Sequence, residues 1–112
     1  MLRISHSVRF SRLILTPFQP ANTIKAIADF CAQHRLHYIS DEIYALSTFP
    51  GEAGSEGPAF QSVLSIDFGP NVREDMIHVL YGASKDFGAN GLRLGTFYTR
   101  NEALRVAVQS IM

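Results

Sequence analysis

Short apolar runs separated by polar breaks mark out the chain, and the spacing inside each run decides what it forms. "RLILT" (residues 12–16) has the length and composition of a buried strand, and the two prolines of "PFQP" end it. "NTIKAIADFCAQH" places Ile24, Ile27, Ala28 and Cys31 at i, i+3, i+4 and i+7, with Phe30 beside them. That spacing predicts an amphipathic helix packed on a core, with Asn22 or Thr23 as N-cap and Cys31 on the buried face. "LHYIS" (36–40), "MIHVLYG" (76–82) and "LRLGTFYT" (92–99) read as further strands, and "AFQSVLSI" as a short helix. "STFPGEAGSEG" (47–57) is a loop rich in Gly, Pro, Ser and Glu. The end of the chain, "NEALRVAVQSIM", predicts a helix capped by Asn101.

Strand, helix and strand in that order predict a βαβ unit with parallel pairing. The third and fourth strands differ. Only about ten residues lie between them, and a parallel crossover needs a dozen or more, so as neighbours they pair antiparallel. The expected fold is therefore α/β: a mostly parallel sheet with one antiparallel strand at 92–99. Residues 1–11 are a lead-in and residues 12–112 a single domain.

Composition narrows the function classes. With 112 residues, 46% hydrophobic and 18% charged, the chain is globular in type and long enough for a modest core. Ten Lys+Arg balance ten Asp+Glu, which argues against a general nucleic-acid or anionic-membrane surface. No apolar run approaches the ~20 residues of a membrane span. The single cysteine, Cys31, forms no internal disulfide, so a reducing, cytoplasmic setting is the expectation. Arg3, Arg9 and Arg12, with three serines and no acid before Asp29, give the N-terminus a composition similar to a mitochondrial transit peptide; a solvated lead-in is the competing reading. His6, His34, His37 and His78 lack metal-ligand spacing and read as surface or satisfied strand residues. Glu42 reads as a surface or supporting acid, and Arg100 and Arg105 as solvated.

Chemistry concentrates at two strand ends. "SDEIY" sets Asp41 just past the second strand, and "GASK" sets Lys85 just past the third. Ligands of open α/β sheets bind outside the carboxyl ends of the strands, so Asp41 and Lys85 are placed to face one crevice. Around Lys85 stand Ser84, Arg93 and three glycines, Gly88, Gly91 and Gly95. A hydroxyl and a guanidinium grip phosphate, and glycines let backbone approach it. Neither a G-x-x-x-x-G-K-[ST] loop nor a G-x-G-x-x-G fingerprint is present. An amine nucleophile, an anion site and a separate carboxylate together suit pyridoxal 5'-phosphate.

"SDEIY" followed by "SKDFGANGLRLG" resembles the fold-type-I pyridoxal-phosphate enzymes, aminotransferase class I/II. "HVLYGASKDFGANGLRLG" is most similar to the 1-aminocyclopropane-1-carboxylate synthase-like branch. The resemblance runs from about residue 12 to the end. It implies a Schiff base on Lys85, which also moves the substrate's α-proton. It implies that Asp41 holds the pyridine nitrogen protonated, that Tyr44 hydrogen-bonds the ring's phenolic oxygen, and that Ser84 and Arg93 bind the phosphate. It further implies an α-amino acid substrate, a transaminase or synthase-like lyase reaction, and a homodimer in the full-length family. The sequence departs from the family's pattern where Gly82 stands in place of a phosphate-binding serine, and where the Asn-Pro-rich segment after the first strand is shortened. The parts of the family's enzymes that lie on either side of this stretch have no counterpart here. The expectation is a partial large domain, with a truncated, non-catalytic binding or dimerising fragment as the alternative.

Overall fold

The structure is a computed structural model that describes residues 19–47 and 60–111. The lead-in, the apolar run at 12–16 and all of the Gly/Pro-rich loop except Ser47 lie outside the described residues.

Helix α1 spans Ala21–Gln33, over the window whose apolar spacing predicts it. Its N-cap is Pro20, not Asn22 or Thr23. The Pro20 carbonyl accepts from the amides of Thr23 (2.9 Å) and Ile24 (3.2 Å). A proline's fixed φ and missing N–H cost nothing before helical donation begins. The buried stripe is also rotated from its expected position. Ile24 and Ala28 are buried and Ala21 and Ala32 pack beside them, while Cys31 is half-buried and Phe30 is 55% exposed. The small side chains at 21, 28 and 32 give the closest approach, so the helix turns that side inward and leaves the bulkier Phe30 outside. Burial raises the Cys31 thiol pKa, which disfavours the reactive thiolate. The helix ends in a Schellman turn, in which the Leu36 amide donates to the Cys31 carbonyl (2.8 Å) and the Arg35 amide to that of Ala32 (3.2 Å). Arg35 occupies the left-handed position at φ 53°.

Three strands follow, β1 (Tyr38–Asp41), β2 (Ile77–Gly82) and β3 (Gly95–Thr99), in the spatial order β1-β2-β3. β1 and β2 pair parallel, with Asp41 opposite Leu80. β2 and β3 pair antiparallel, as the short connection requires, with Gly82 opposite Gly95. β3 begins three residues later than the apolar pattern suggests. Residues Asn90–Leu92 form a 3-10 turn and Arg93 takes a left-handed backbone (φ 52°), so the strand starts only once the chain is extended again. The stretch read as a short helix yields only a 3-10 turn at Val63–Ser65. Helix α2 (Ala83–Asp86) follows β2 directly, and α3 (Glu102–Gln109) ends the fold, its first-turn Leu104 amide capped by the Asn101 side chain at 2.9 Å. Arg100 and Arg105 are exposed but paired, with Glu74 and Glu102 respectively. Such surface pairs are each worth ~0–1 kcal/mol.

The core joins Ile24 and Ala28 of α1 to Val63, Ile66, Val72, Ile77 and Val79. On the other face of β2, His78 is fully buried. One ring nitrogen meets His37 Nδ1 and the other meets Thr99 Oγ1, each at 2.8 Å. It is thus a satisfied strand residue. Burial, and then the adjacent His37, lower its pKa, with Asp75 acting weakly in the opposite sense. The sign for stability follows. The unfolded chain takes up this proton near pH ~6.5, while the folded chain takes it up only at lower pH. Stability is therefore complete above ~6.5 and falls as the pH drops through that value, by at most ~1.4 kcal/mol per pH unit for one proton. Urea midpoints at pH 7.5 and 5.5 should differ in this direction, and by less in His78→Gln; an equal difference in both proteins would assign the effect elsewhere.

Candidate functional site

The carboxyl ends of β1 and β2 gather the chemistry-bearing residues. Asp41 is the last residue of β1, exposed, with Oδ1 accepting from the Ile43 amide at 3.3 Å. This local turn lifts the chain off the sheet and leads into residues 43–46, where Tyr44 sits. The turn is closed by the Ala45 amide on the Glu42 carbonyl (3.0 Å) and the Ser47 amide on the Tyr44 carbonyl (3.1 Å). On the neighbouring strand, α2 starts directly after Gly82 and carries Ser84, half-buried, and Lys85, exposed.

Tyr44 and Lys85 are brought together. Lys85 Nζ lies 5.8 Å from the centroid of the Tyr44 ring, within cation–π reach. Asp41 shares the same sheet end, opposite Leu80, and the Glu42 amide continues the ladder by donating to the Leu80 carbonyl at 2.9 Å. Arg93 arrives from the connection into β3, two residues before Gly95, which pairs with Gly82. The Ala83 amide donates to the Leu94 carbonyl at 3.2 Å, tying the start of α2 to that connection. All five sequence-predicted residues thus border one end of the sheet. Contact, however, is limited to the Tyr44–Lys85 pair. Among the described residues the side chains of Ser84 and Arg93 take no hydrogen-bond or ion-pair partner, which leaves both donors available to an anion. The left-handed backbone at Arg93 costs ~1–2 kcal/mol for a residue with a Cβ.

The structure gives a reason for Gly82. A Cβ there would meet the Leu94 carbonyl oxygen at 3.2 Å and Ile43 Cδ1 at 3.3 Å. The connection into β3 and the turn after β1 close on this position, and a serine would have to push both aside by a few tenths of an ångström.

Two further residues support the site. Of the two readings of Glu42, surface or supporting acid, the structure selects the second: it is buried, and its Oε1 accepts from the Val63 amide (2.9 Å) and Ser40 Oγ (3.2 Å). Its signal was the alternation of a strand: if Asp41 points to one side at the strand end, the next residue points to the other. Asp86, next to Lys85, accepts from the Leu46 amide (2.9 Å), Tyr81 Oη (3.0 Å) and Ser47 Oγ. Burial raises its pKa, but the Ser47, Leu46 and Tyr81 hydrogen bonds outweigh it, and the carboxyl is held below its usual range. Tyr81 is raised, by burial first and then by Asp86. No sequence signal marked Asp86, because the Leu46 and Ser47 donors it accepts from lie about 40 positions away.

The amine, carboxylate, phenol, hydroxyl and guanidinium at this sheet end form a donor set that fits an anionic, aromatic cofactor with a reactive carbonyl. A mostly apolar cavity bordered by Ala28, Tyr38, Val72 and Ile77, with Arg35 and Arg73 also lining it, lies at the opposite end of the strands and has no lysine or carboxylate in its lining.

Comparison with known proteins points the same way. A family described as aminotransferase class I and II matches residues 19–112. "Probable aminotransferase tcpI" of Claviceps purpurea is 46% identical over 84 residues, 73% of this chain and 19% of that protein. Human "1-aminocyclopropane-1-carboxylate synthase-like protein 1" is 39% identical over 119 residues, 98% of this chain and 22% of that protein. Rice "1-aminocyclopropane-1-carboxylate synthase 2" is 39% identical over 103 residues, 87% of this chain and 20% of that protein. The chain thus spans about a fifth of the length of these relatives.

Proposed function

The chain belongs to the aminotransferase class I and II family, and from that premise we propose that it carries the pyridoxal 5'-phosphate-binding centre of an enzyme acting on α-amino acids. The observation that carries this reading is the meeting of Tyr44 and Lys85 at 5.8 Å, on elements that follow two adjacent parallel strands, with Asp41 at the end of one of them.

When bound, the cofactor supplies an electron sink for the pair left behind as a bond to the substrate's α-carbon breaks. The protein's part is to hold and orient. Lys85 Nζ would be the amine that holds the cofactor covalently and the base that moves the substrate's α-proton. Its exposed position keeps it accessible to both partners. The Asp41 carboxylate would hold the cofactor's ring nitrogen through a charge-assisted pair, and Tyr44 Oη would donate to the ring oxygen. Ser84 Oγ and the Arg93 guanidinium would hold the phosphate. Transamination and a synthase-like elimination both begin with these steps, and the family names among the relatives include both types. A second copy of the chain is the proposed partner, and the cytoplasm the proposed location.

The test is covalent trapping. The purified chain is mixed with pyridoxal phosphate and reduced with borohydride, and the modified lysines are mapped. Stoichiometric label at Lys85 is expected. Absence of label, or equal label on Lys85 and Lys25 of α1, would sink the proposal.

A further inference from the structure

We propose that Asp86 is a positioning residue: its carboxylate holds the turn that carries Tyr44 against the helix that carries Lys85, and so sets the separation of phenol and amine. Its bearing on catalysis rests on the function proposed above; the mechanical claim does not.

The geometry is specific. Asp86 receives donors from two parts of the fold besides its own helix. The Leu46 amide and Ser47 hydroxyl belong to the turn after β1, some 40 positions away in sequence, and the Tyr81 hydroxyl belongs to β2. A carboxylate has only acceptors, so one group satisfies all three donors at once. Lys85 is the preceding residue and Tyr44 lies two residues before Leu46. The hydrogen bonds at Asp86 therefore link the two segments whose side chains meet at the site. No other hydrogen bond among the described residues joins the 43–47 turn to α2. Besides it, the start of the turn is tied to β2 by the Glu42 amide on the Leu80 carbonyl (2.9 Å), and Tyr44 meets Lys85 through the ring–amine contact.

The chemistry of the carboxamide separates positioning from charge. In Asp86→Asn the amide oxygen can keep the Leu46 amide and the Tyr81 hydroxyl, both of which reach Oδ2, while the NH₂ turns to Ser47, whose hydroxyl can accept. Asp86→Ala loses every link. The alanine variant should therefore release the turn, and the asparagine variant should restore it although both lack the charge.

Two readouts test this. The first needs no cofactor: amide hydrogen exchange at Leu46, followed by NMR. Exchange should speed up about tenfold or more in Asp86→Ala, as expected for a lost hydrogen bond to a charged group, and return near wild type in Asp86→Asn, with the amides of His78 and Val79 unchanged in both. The second is the rate of borohydride-trapped labelling at Lys85 relative to Lys25, which should fall about tenfold in the alanine variant and recover in the asparagine variant. Unchanged Leu46 exchange in Asp86→Ala, or an asparagine variant no better than alanine, overturns the mechanical claim. Faster exchange with an unchanged labelling ratio overturns the positioning role. If the wild-type chain takes no label at all, the cofactor reading fails, while the exchange measurement still decides the linkage.

Discussion

Replacing Lys85 with alanine is expected to drop borohydride-trapped pyridoxal phosphate from stoichiometric to background, whereas Asp41→Ala leaves the label on Lys85 and weakens binding. The two residues hold the cofactor in different ways. Lys85 would supply a covalent bond, for which Lys25 is no substitute, because it stands on α1 and not on an element that follows the carboxyl end of β1 or β2. Asp41 would supply one charge-assisted hydrogen bond. Such bonds are worth ~1.5–3 kcal/mol, or roughly 10- to 150-fold in affinity. Asp41 is exposed at the end of β1, and solvent screening places the effect near the lower end, at roughly tenfold. Absorbance titration with the cofactor gives the affinities, and peptide mapping gives the labelled site. Label migrating to Lys25 in Lys85→Ala at the wild-type stoichiometry would mean that the amine is adventitious. Equal affinity in Asp41→Ala and wild type would remove Asp41 from the ring.

What could be read from the sequence, and what could not, follows the range of the interactions. α1 and the antiparallel pairing of β2 with β3 were legible because apolar spacing and connection length are local properties, while the βαβ pairing expected of 12–16 with 36–40 falls outside the described residues. The side of α1 that is buried was less so. Four apolar residues fit the helical stripe, and the choice among them depends on which small side chains, Ala21, Ala28 and Ala32, lie closest to the sheet. The start of β3 was misplaced because the apolar Leu92 and Leu94 suggest a strand, while the left-handed Arg93 between them interrupts it. At the sheet end, the placing of Asp41, Tyr44, Ser84, Lys85 and Arg93 was anticipated through paired motifs and strand ends. Asp86 was not, and the choice between a surface and a supporting Glu42 stayed open, because each acts on a partner about 20 or 40 positions away. The motif shows which groups stand at the sheet end, but not what holds them there.

Glu42→Ala is expected to destabilise the fold more than any substitution at the exposed site residues, by ~2–4 kcal/mol, with Glu42→Gln costing distinctly less. The reason is the Val63 amide. It is buried, its hydrogen bond runs to Glu42 Oε1 at 2.9 Å, and Val63 itself is 1% exposed in the middle of the core. Alanine leaves that donor unsatisfied, a loss of ~1–3 kcal/mol, and adds a cavity where the side chain was. Glutamine keeps a carbonyl oxygen for the amide and nearly the same volume. Urea midpoints measure the difference, and in a domain of this size each 1 kcal/mol also moves the thermal midpoint by about 4–8 °C. A glutamine variant as unstable as alanine would show that charge, not the acceptor, matters here. The consequence reaches the site through one peptide unit. Glu42 anchors the end of β1 to the 3-10 turn at Val63–Ser65, and Asp41 is the residue immediately before it. Loosening that anchor should weaken cofactor affinity in Glu42→Ala beyond what the unfolded fraction explains, and measuring affinity at a temperature where the variant remains folded separates the two effects.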